Sequence, residues 1–285
     1  MDYLHDGHLS LIREAQKDAE IIVVSIYDNP AQFSPSEDLS TYPSDLDRDL
    51  KKLSDIGVDA VFHPLDLYDY GGSGETKSES VDNMEFTEEG EGNAVSCIGD
   101  KGEGRLGHET WIRVERLTKR LCGKSRPVFF KGVATVVAKL FNIVEPDIAI
   151  FGKKDYQQWR IICRMVRDLD FGIQVIGSDT VREIDGLAMS SRNVHLKPEE
   201  REKALSIGQS LLRAKLEALK GQTSCTELRN SVVQAITGSG GRVDYAEIVD
   251  QETVVAVEEI KAPVVFCVAA WFGKVRLIDN AEINL

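Results

Sequence analysis

The chain has 285 residues, 42% of them hydrophobic, which suffices for two domains with real cores. A formal charge of -13 argues against a nucleic-acid backbone or an anionic membrane surface as the main partner. No apolar run approaches the ~20 residues of a membrane helix, and no signal-peptide pattern opens the chain. Five cysteines (Cys97, Cys122, Cys163, Cys225, Cys267) lie far apart, a spacing that reads as reduced thiols in a cytosolic protein rather than a disulfide framework or a zinc site.

The first periodic segment spans residues 8–19, with Leu9, Leu11, Ile12 and Ala15 on one side and Arg13, Glu14, Lys17 and Asp18 on the other. That pattern predicts a surface helix with one face packed inward. Just ahead of it stands His5-Asp6-Gly7-His8. Two imidazoles at a helix opening meet free backbone N–H groups and the positive dipole end, which together draw phosphate. Gly7 leaves room for a ligand to approach closely. The same residues also fit two exposed histidines flanking a tight turn.

Residues 20–27 (EIIVVSIY) form a nearly continuous apolar run, as in a parallel strand covered on both faces. The polar loop Asp28-Asn29-Pro30-Ala31-Gln32-Phe33 leaves its carboxyl end, the edge where open α/β sheets place ligands. Asn29 and Gln32 offer side-chain amides there; an ordinary Asn-Pro turn is the alternative. A charged helix is predicted over 44–53 and a further strand over 58–63. Composition then shifts to Gly, Ser and Glu over 68–107, which reads as an acidic insertion loop rather than a domain.

Order resumes near Glu109. A helix is predicted over 133–144 and a buried strand over 147–151, which ends in Gly152-Lys153-Lys154-Asp155 before a helix over 156–169. Lys154 stands where it could hold a phosphate, or as part of a plain charged turn, while Gln158 lies one turn into the helix. A strand over 173–178 precedes the polar loop Met189-Ser190-Ser191-Arg192, which reads either as a polyphosphate clamp or as a helix cap. Helices over 198–220 and 224–236 and strands over 242–249, 264–272 and 275–278 follow, the last two joined at Gly273-Lys274 in a hairpin. Helices followed by antiparallel strands make a separate α+β domain, with the boundary placed near Ser178.

The stretches LHDGHLSLI, NPAQF, SRPVFFKGVATVVAKLFNIVEPDIAIFGKKDYQQWRI, REIDGLAMSSRN and VDYAEIV together resemble the pantothenate synthetase (pantoate–β-alanine ligase) family, in its plant form, within the nucleotidylyl-transferase superfamily. The resemblance covers nearly the whole chain. It implies an α/β fold with a Rossmann-like parallel sheet carrying helices on both faces (1–178), binding nucleotide and pantoate, and a smaller α+β lid domain (179–285). It also implies a cytosolic homodimer that joins pantoate to β-alanine through a pantoyl adenylate, with ATP as substrate and magnesium as cofactor.

Residue by residue, the resemblance implies that His5, His8, Lys154, Ser190 and Arg192 carry the chemistry. It places ATP against Met1, His8, Gly152, Lys154, Asp155, Met189, Ser190, Ser191 and Arg192, and pantoate against Asn29, Gln32 and Gln158. Asp49 would lie near a magnesium ion that is carried in largely by the phosphates.

The chain departs from the family at three places. Members carry a strand ending Pro-Thr-Met-Gly before the histidine motif, whereas this chain begins at that Met and has Asp2 in place of the Gly. Asp28 replaces an apolar residue, and a charge at the end of a buried strand is costly unless it finds a partner. The expectation is a truncated relative whose first sheet strand is missing, with a non-catalytic binding or dimer partner as the competing reading. Another adenylyl- or cytidylyl-transferase on the same fold ranks third, since it would leave Gln32 and Gln158 unexplained.

Overall fold

A computed structural model describes residues 3–34, 39, 42–68 and 108–285. Met1 and Asp2 lie outside the described residues, as does the expected insertion apart from its first residue, Tyr68.

Helix α1 (Asp6–Ala15) begins earlier than the hydrophobic periodicity predicts. Asp6 and Gly7 add nothing to the apolar stripe, yet an acidic side chain suits the positive end of a helix. Leu4, Ile12, Ile22, Val24, Ile26 and Leu53 close a small core between α1, strand β1 (Val23–Ser25) and helix α2 (Leu46–Ile56). Asp45 caps α2 by accepting from the Arg48 N–H, and Gly57 ends it at φ 82°, a conformation that favours glycine. Strand β2 (Ala60–Phe62) pairs in parallel with β1 over three residues only, so most of the predicted 20–27 run is not strand.

The short helix α3 (Cys122–Ser125) leads to α4 (Phe129–Val144), which is apolar around most of its circumference and correspondingly buried. Helix α4 starts four residues before the predicted position, because Lys131 and Gly132 read as a loop in sequence. Strand β3 (Ile148–Gly152), helix α5 (Tyr156–Asp168) and strand β4 (Gln174–Ser178) form a β-α-β unit whose strands run parallel in register from Ile148↔Gln174 to Gly152↔Ser178.

The expected parallel sheet is therefore divided. Among the described residues β1 pairs only with β2 and β3 only with β4, and both β1 and β3 border one large cavity. Helix α1 packs across β3 and β4, and its Ile12 shares a core with Val24 of β1.

The C-terminal part holds helices α6 (Pro198–Leu219) and α7 (Cys225–Gly238) and an antiparallel sheet β5 (Arg242–Asp250), β6 (Val264–Phe272), β7 (Val275–Ile283) in that order. Gly273 turns the β6–β7 hairpin at φ 58°, and β7 continues five residues past its predicted end. The two helices cover one face of the sheet through Ile207, Leu211, Val232, Phe266 and Phe272. Its other face, with Tyr245, Val265, Cys267 and Ile278, packs against Leu121, Cys122, Tyr156 and Ile161. Central strand β6 is thus buried on both faces, which explains its unbroken apolar sequence.

Candidate active site

The elements converge on a cavity of about 1100 Å³. His5 and His8 enter it from the start of α1, Asn29 and Gln32 from the loop after β1, and Gly152, Lys154 and Asp155 from the end of β3. Gln158 enters from α5, and Met189, Ser190, Ser191 and Arg192 from the loop ahead of α6. Residues from four distant stretches of the chain therefore share one space.

The two histidine rings stack with centroids 4.0 Å apart. A Cβ on residue 7 would sit 2.9 Å from the His5 ring, so Gly7 is what allows that ring its place. Burial, and after it the nearby charge of Lys154, holds the His5 pKa down to about 4. Burial, then the adjacent His5, holds His8 well below the usual histidine range. Both imidazoles are therefore neutral at pH 7. Their buried Nδ1 atoms have no hydrogen-bond partner among the described residues.

The two lysines after β3 differ in their surroundings. Lys153 points to the C-terminal sheet, where it pairs with Glu282 at 2.9 Å and Asp179 at 3.1 Å. Lys154 borders the cavity and makes a looser pair with Asp155 at 3.3 Å. The turn is held from beneath by Asn280, whose side-chain amide donates to the carbonyls of both lysines. Sequence reasoning did not single out Asn280, because it lies more than 120 residues away on β7. The neighbouring glutamines divide in the same way: Gln157 is buried and bonded to Cys122, Leu117 and Arg120, whereas Gln158 reaches the cavity.

The loop from Thr180 forms a small hairpin in which Arg182 bridges Ala188 and Gly186 turns at φ 94°. Arg182 fastens it to β7 by paired bonds of 2.7 and 2.9 Å to Asp279. Ser190 does serve as a cap, its Oγ accepting from the Arg192 N–H, while also lining the cavity. The two readings of this loop are thus compatible. Tyr42, which the sequence did not flag, reaches Ser191 Oγ at 2.9 Å and lies under the Arg192 guanidinium. Arg126 was also passed over; it borders the cavity with its guanidinium 3.9 Å from the Phe129 ring centre. Its signal was its place inside the matched SRPVFF stretch.

Three residues sit in surroundings that the sequence does not foretell. Asp49 is not among the residues that line the cavity: it is fully buried and accepts the Leu4 N–H at 2.8 Å, so it anchors the start of α1. Asn29 borders the cavity but is 2% exposed. Its Oδ1 accepts from Ala31 and Tyr68, and its Nδ2 donates to Gly132 and Gln32, so its hydrogen-bonding positions are filled by the protein. Tyr68, read as the first residue of a solvated insertion, is 5% exposed and belongs to the core beside α4. Asp28 borders the cavity, half-buried, and the expected contact of Met1 lies outside the described residues.

Fold and cavity together are those of an α/β protein with one large cavity bordered by β1 and β3 and lined by histidine, lysine, arginine and amide side chains. The sequence pattern of the family described as Pantoate-beta-alanine ligase matches residues 1–282. A relative from Lotus japonicus named Pantoate--beta-alanine ligase is 65% identical over 287 residues, spanning all of this chain and 90% of its own length. An Arabidopsis thaliana protein of the same name is 63% identical, over 100% and 89%. A crystal structure of pantothenate synthetase from Thermus thermophilus superposes with a TM-score of 0.83 at 39% identity, over 100% of this chain and 91% of that one. Another, the Francisella tularensis pantoate-beta-alanine ligase complexed with beta-gamma ATP and beta-alanine, has a TM-score of 0.68 at 30% identity, over 99% and 86%. The chain belongs to the pantoate-beta-alanine ligase family.

Proposed function

We propose that this chain joins pantoate to β-alanine at the expense of ATP, through an enzyme-bound pantoyl adenylate. The pantoate carboxylate attacks the α-phosphate; a new O–P bond forms, the bond to the β-phosphate oxygen breaks, and pyrophosphate leaves. The β-alanine amine then attacks the acyl carbon, AMP departs with the C–O electron pair, and the amine gives up its proton. Acylating AMP supplies the leaving group that a carboxylate lacks.

The observation that carries this reading is that Gln32 and Gln158 share one cavity with His5, His8, Lys154 and Arg192. Neutral amides suit the hydroxyls and carboxylate of a small acid, and the cations suit phosphate. Lys154, Arg192 and Ser190 neutralise charge that builds on the phosphate oxygens. His5 and His8, being neutral, donate hydrogen bonds there without adding fixed charge. Gly152, Asp155, Met189 and Ser191 frame the nucleotide, and the shared cavity aligns the attacking oxygen with phosphorus. A volume of about 1100 Å³ is slightly above that of ordinary ligand pockets, roughly 300 to 1,000 Å³, and suits a site that takes more than one substrate.

Magnesium is left to the nucleotide in this reading. Among the described residues no group of three His, Cys, Asp or Glu side chains could hold an ion. A homodimer and a cytosolic location complete the proposal. No described helix is long and apolar enough to cross a membrane, and sedimentation of the purified chain tests the dimer.

The experiment is pantoate-dependent exchange of labelled pyrophosphate into ATP. Exchange that requires pantoate and falls about 100-fold or more in His5→Ala is the expected result. A folded protein that exchanges nothing would overturn the ligase reading in favour of a non-catalytic partner.

A further inference from the structure

Next to the Asn29–Gln32 loop, the buried Tyr68 ring stacks with Trp111 and lies tilted against His108, at centroid distances of 5.9 and 4.9 Å, and Lys139 lies 5.4 Å over its face. Its hydroxyl reaches Asn29 Oδ1 at 2.8 Å. Asn29 Nδ2 in turn lies 3.3 Å from Gln32 Oε1. We propose that Tyr68 is a positioning residue for the small-acid side of the site: its hydroxyl holds the plane of the Asn29 amide, and through it the Gln32 amide, which presents N–H donors, not its carbonyl, to the cavity.

The polarity of this chain follows from backbone groups whose roles cannot be exchanged. The Ala31 N–H is only a donor, so the Asn29 atom facing it at 3.3 Å is the oxygen. The Gly132 carbonyl is only an acceptor, so the Asn29 atom facing it at 3.1 Å is the nitrogen. With Asn29 fixed twice, Tyr68 must donate to its oxygen, and the Gln32 atom facing its nitrogen must be an oxygen. The Gln32 amide nitrogen is then the polar end that remains for the cavity Gln32 lines. An anionic, hydroxyl-bearing acid presents acceptors, and an N–H-bearing end is what it needs. A reversed Gln32 would set carbonyl against carboxylate.

Without the tyrosine hydroxyl, the buried Asn29 oxygen keeps a single backbone partner, and the amide loses one of the contacts that hold its plane. Deleting one such bond commonly weakens an arrangement by about 1 kcal/mol, or roughly fivefold. The effect should fall on the acid and leave the nucleotide alone, since Lys154, Ser190 and Arg192 stand on other elements.

Tyr68→Phe is the test, because it keeps the ring stack and removes only the hydroxyl. This inference rests on the proposed function for the name of the acid but not for the amide geometry, so two readouts are used. Steady-state turnover should show KM for pantoate raised about five- to tenfold, with KM for ATP and kcat within about twofold. Side-chain amide NMR of the labelled protein, assigned with Asn29→Asp and Gln32→Glu, should show the NH2 signals of both Asn29 and Gln32 shifted in Tyr68→Phe. Unshifted Asn29 and Gln32 signals would overturn the inference, as would a rise in KM for ATP equal to that for pantoate. If the wild type turns over no pantoate, the proposed function fails, and the amide signals alone decide the role of Tyr68.

Discussion

Gly132→Ala separates local helix propensity from tertiary packing. Gly132 lies inside α4, where alanine normally stabilises a helix by about 1 kcal/mol relative to glycine. Here a Cβ at position 132 would stand 2.3 Å from the Ala31 carbonyl oxygen, 2.4 Å from its carbon and 2.6 Å from the Gln32 nitrogen. The carbonyl has to retreat about 0.7 Å to reach the 3.0 Å below which such contacts are essentially never found. These are backbone atoms, so the whole Asn29–Gln32 turn must move, and the Asn29 bond to the Gly132 carbonyl moves with it. Forcing a methyl into a packed site costs about 1 to 3 kcal/mol, which outweighs the helix gain. A displacement near 1 Å at a positioning residue costs about 100-fold in rate. The expected result is a lower melting temperature and kcat/KM for pantoate reduced about 10- to 100-fold, with ATP affinity measured by calorimetry nearly unchanged. A more stable Gly132→Ala protein with normal pantoate kinetics would refute the reasoning.

The two adjacent lysines make a paired prediction. Lys154→Ala should lower kcat/KM about 100- to 1,000-fold without changing the melting temperature, because a partly exposed pair with Asp155 contributes under about 1 kcal/mol. Lys153→Ala should do the opposite; equal losses of activity would remove the distinction drawn between them. Asp49→Ala strands the buried Leu4 N–H and should cost about 1 to 3 kcal/mol in denaturant unfolding, leaving the magnesium dependence of turnover unchanged; a shifted magnesium requirement in a fully stable variant would return Asp49 to the metal. The His5 ring should titrate near pH 4 by NMR. Between the ordinary 6.5 and that value the unfolded chain binds a proton that the native state does not, so stability should decline as pH falls through this window. The decline should be smaller in His5→Gln, and a His5 titration at 6.5 would show that the ring is not desolvated.

Local signals carried a good part of the architecture. The apolar periodicity of α6 and α7, the unbroken β6 run and the Gly273-Lys274 hairpin were legible because each rests on residues close in sequence. So were the site segments as segments, since histidines at a helix start, a lysine after a strand and a Ser-Arg loop have chemical meaning wherever they occur. Tertiary structure decided what those segments do together. Lys153 and Lys154 look alike in sequence, and only Glu282 and Asp179, brought in by folding, draw the first away from the cavity. Gln157 and Gln158 differ by the roughly 100° between successive helix positions, which turns one toward Leu117 and Arg120 and the other to the cavity. Asp49 reads as a possible ligand until Leu4 is seen against it, and Tyr68 reads as loop until its ring meets α4. In each case the residue type sets which bonds are available, while the partner that decides between them is brought in by the fold, so which bond forms is settled by which surfaces are buried together.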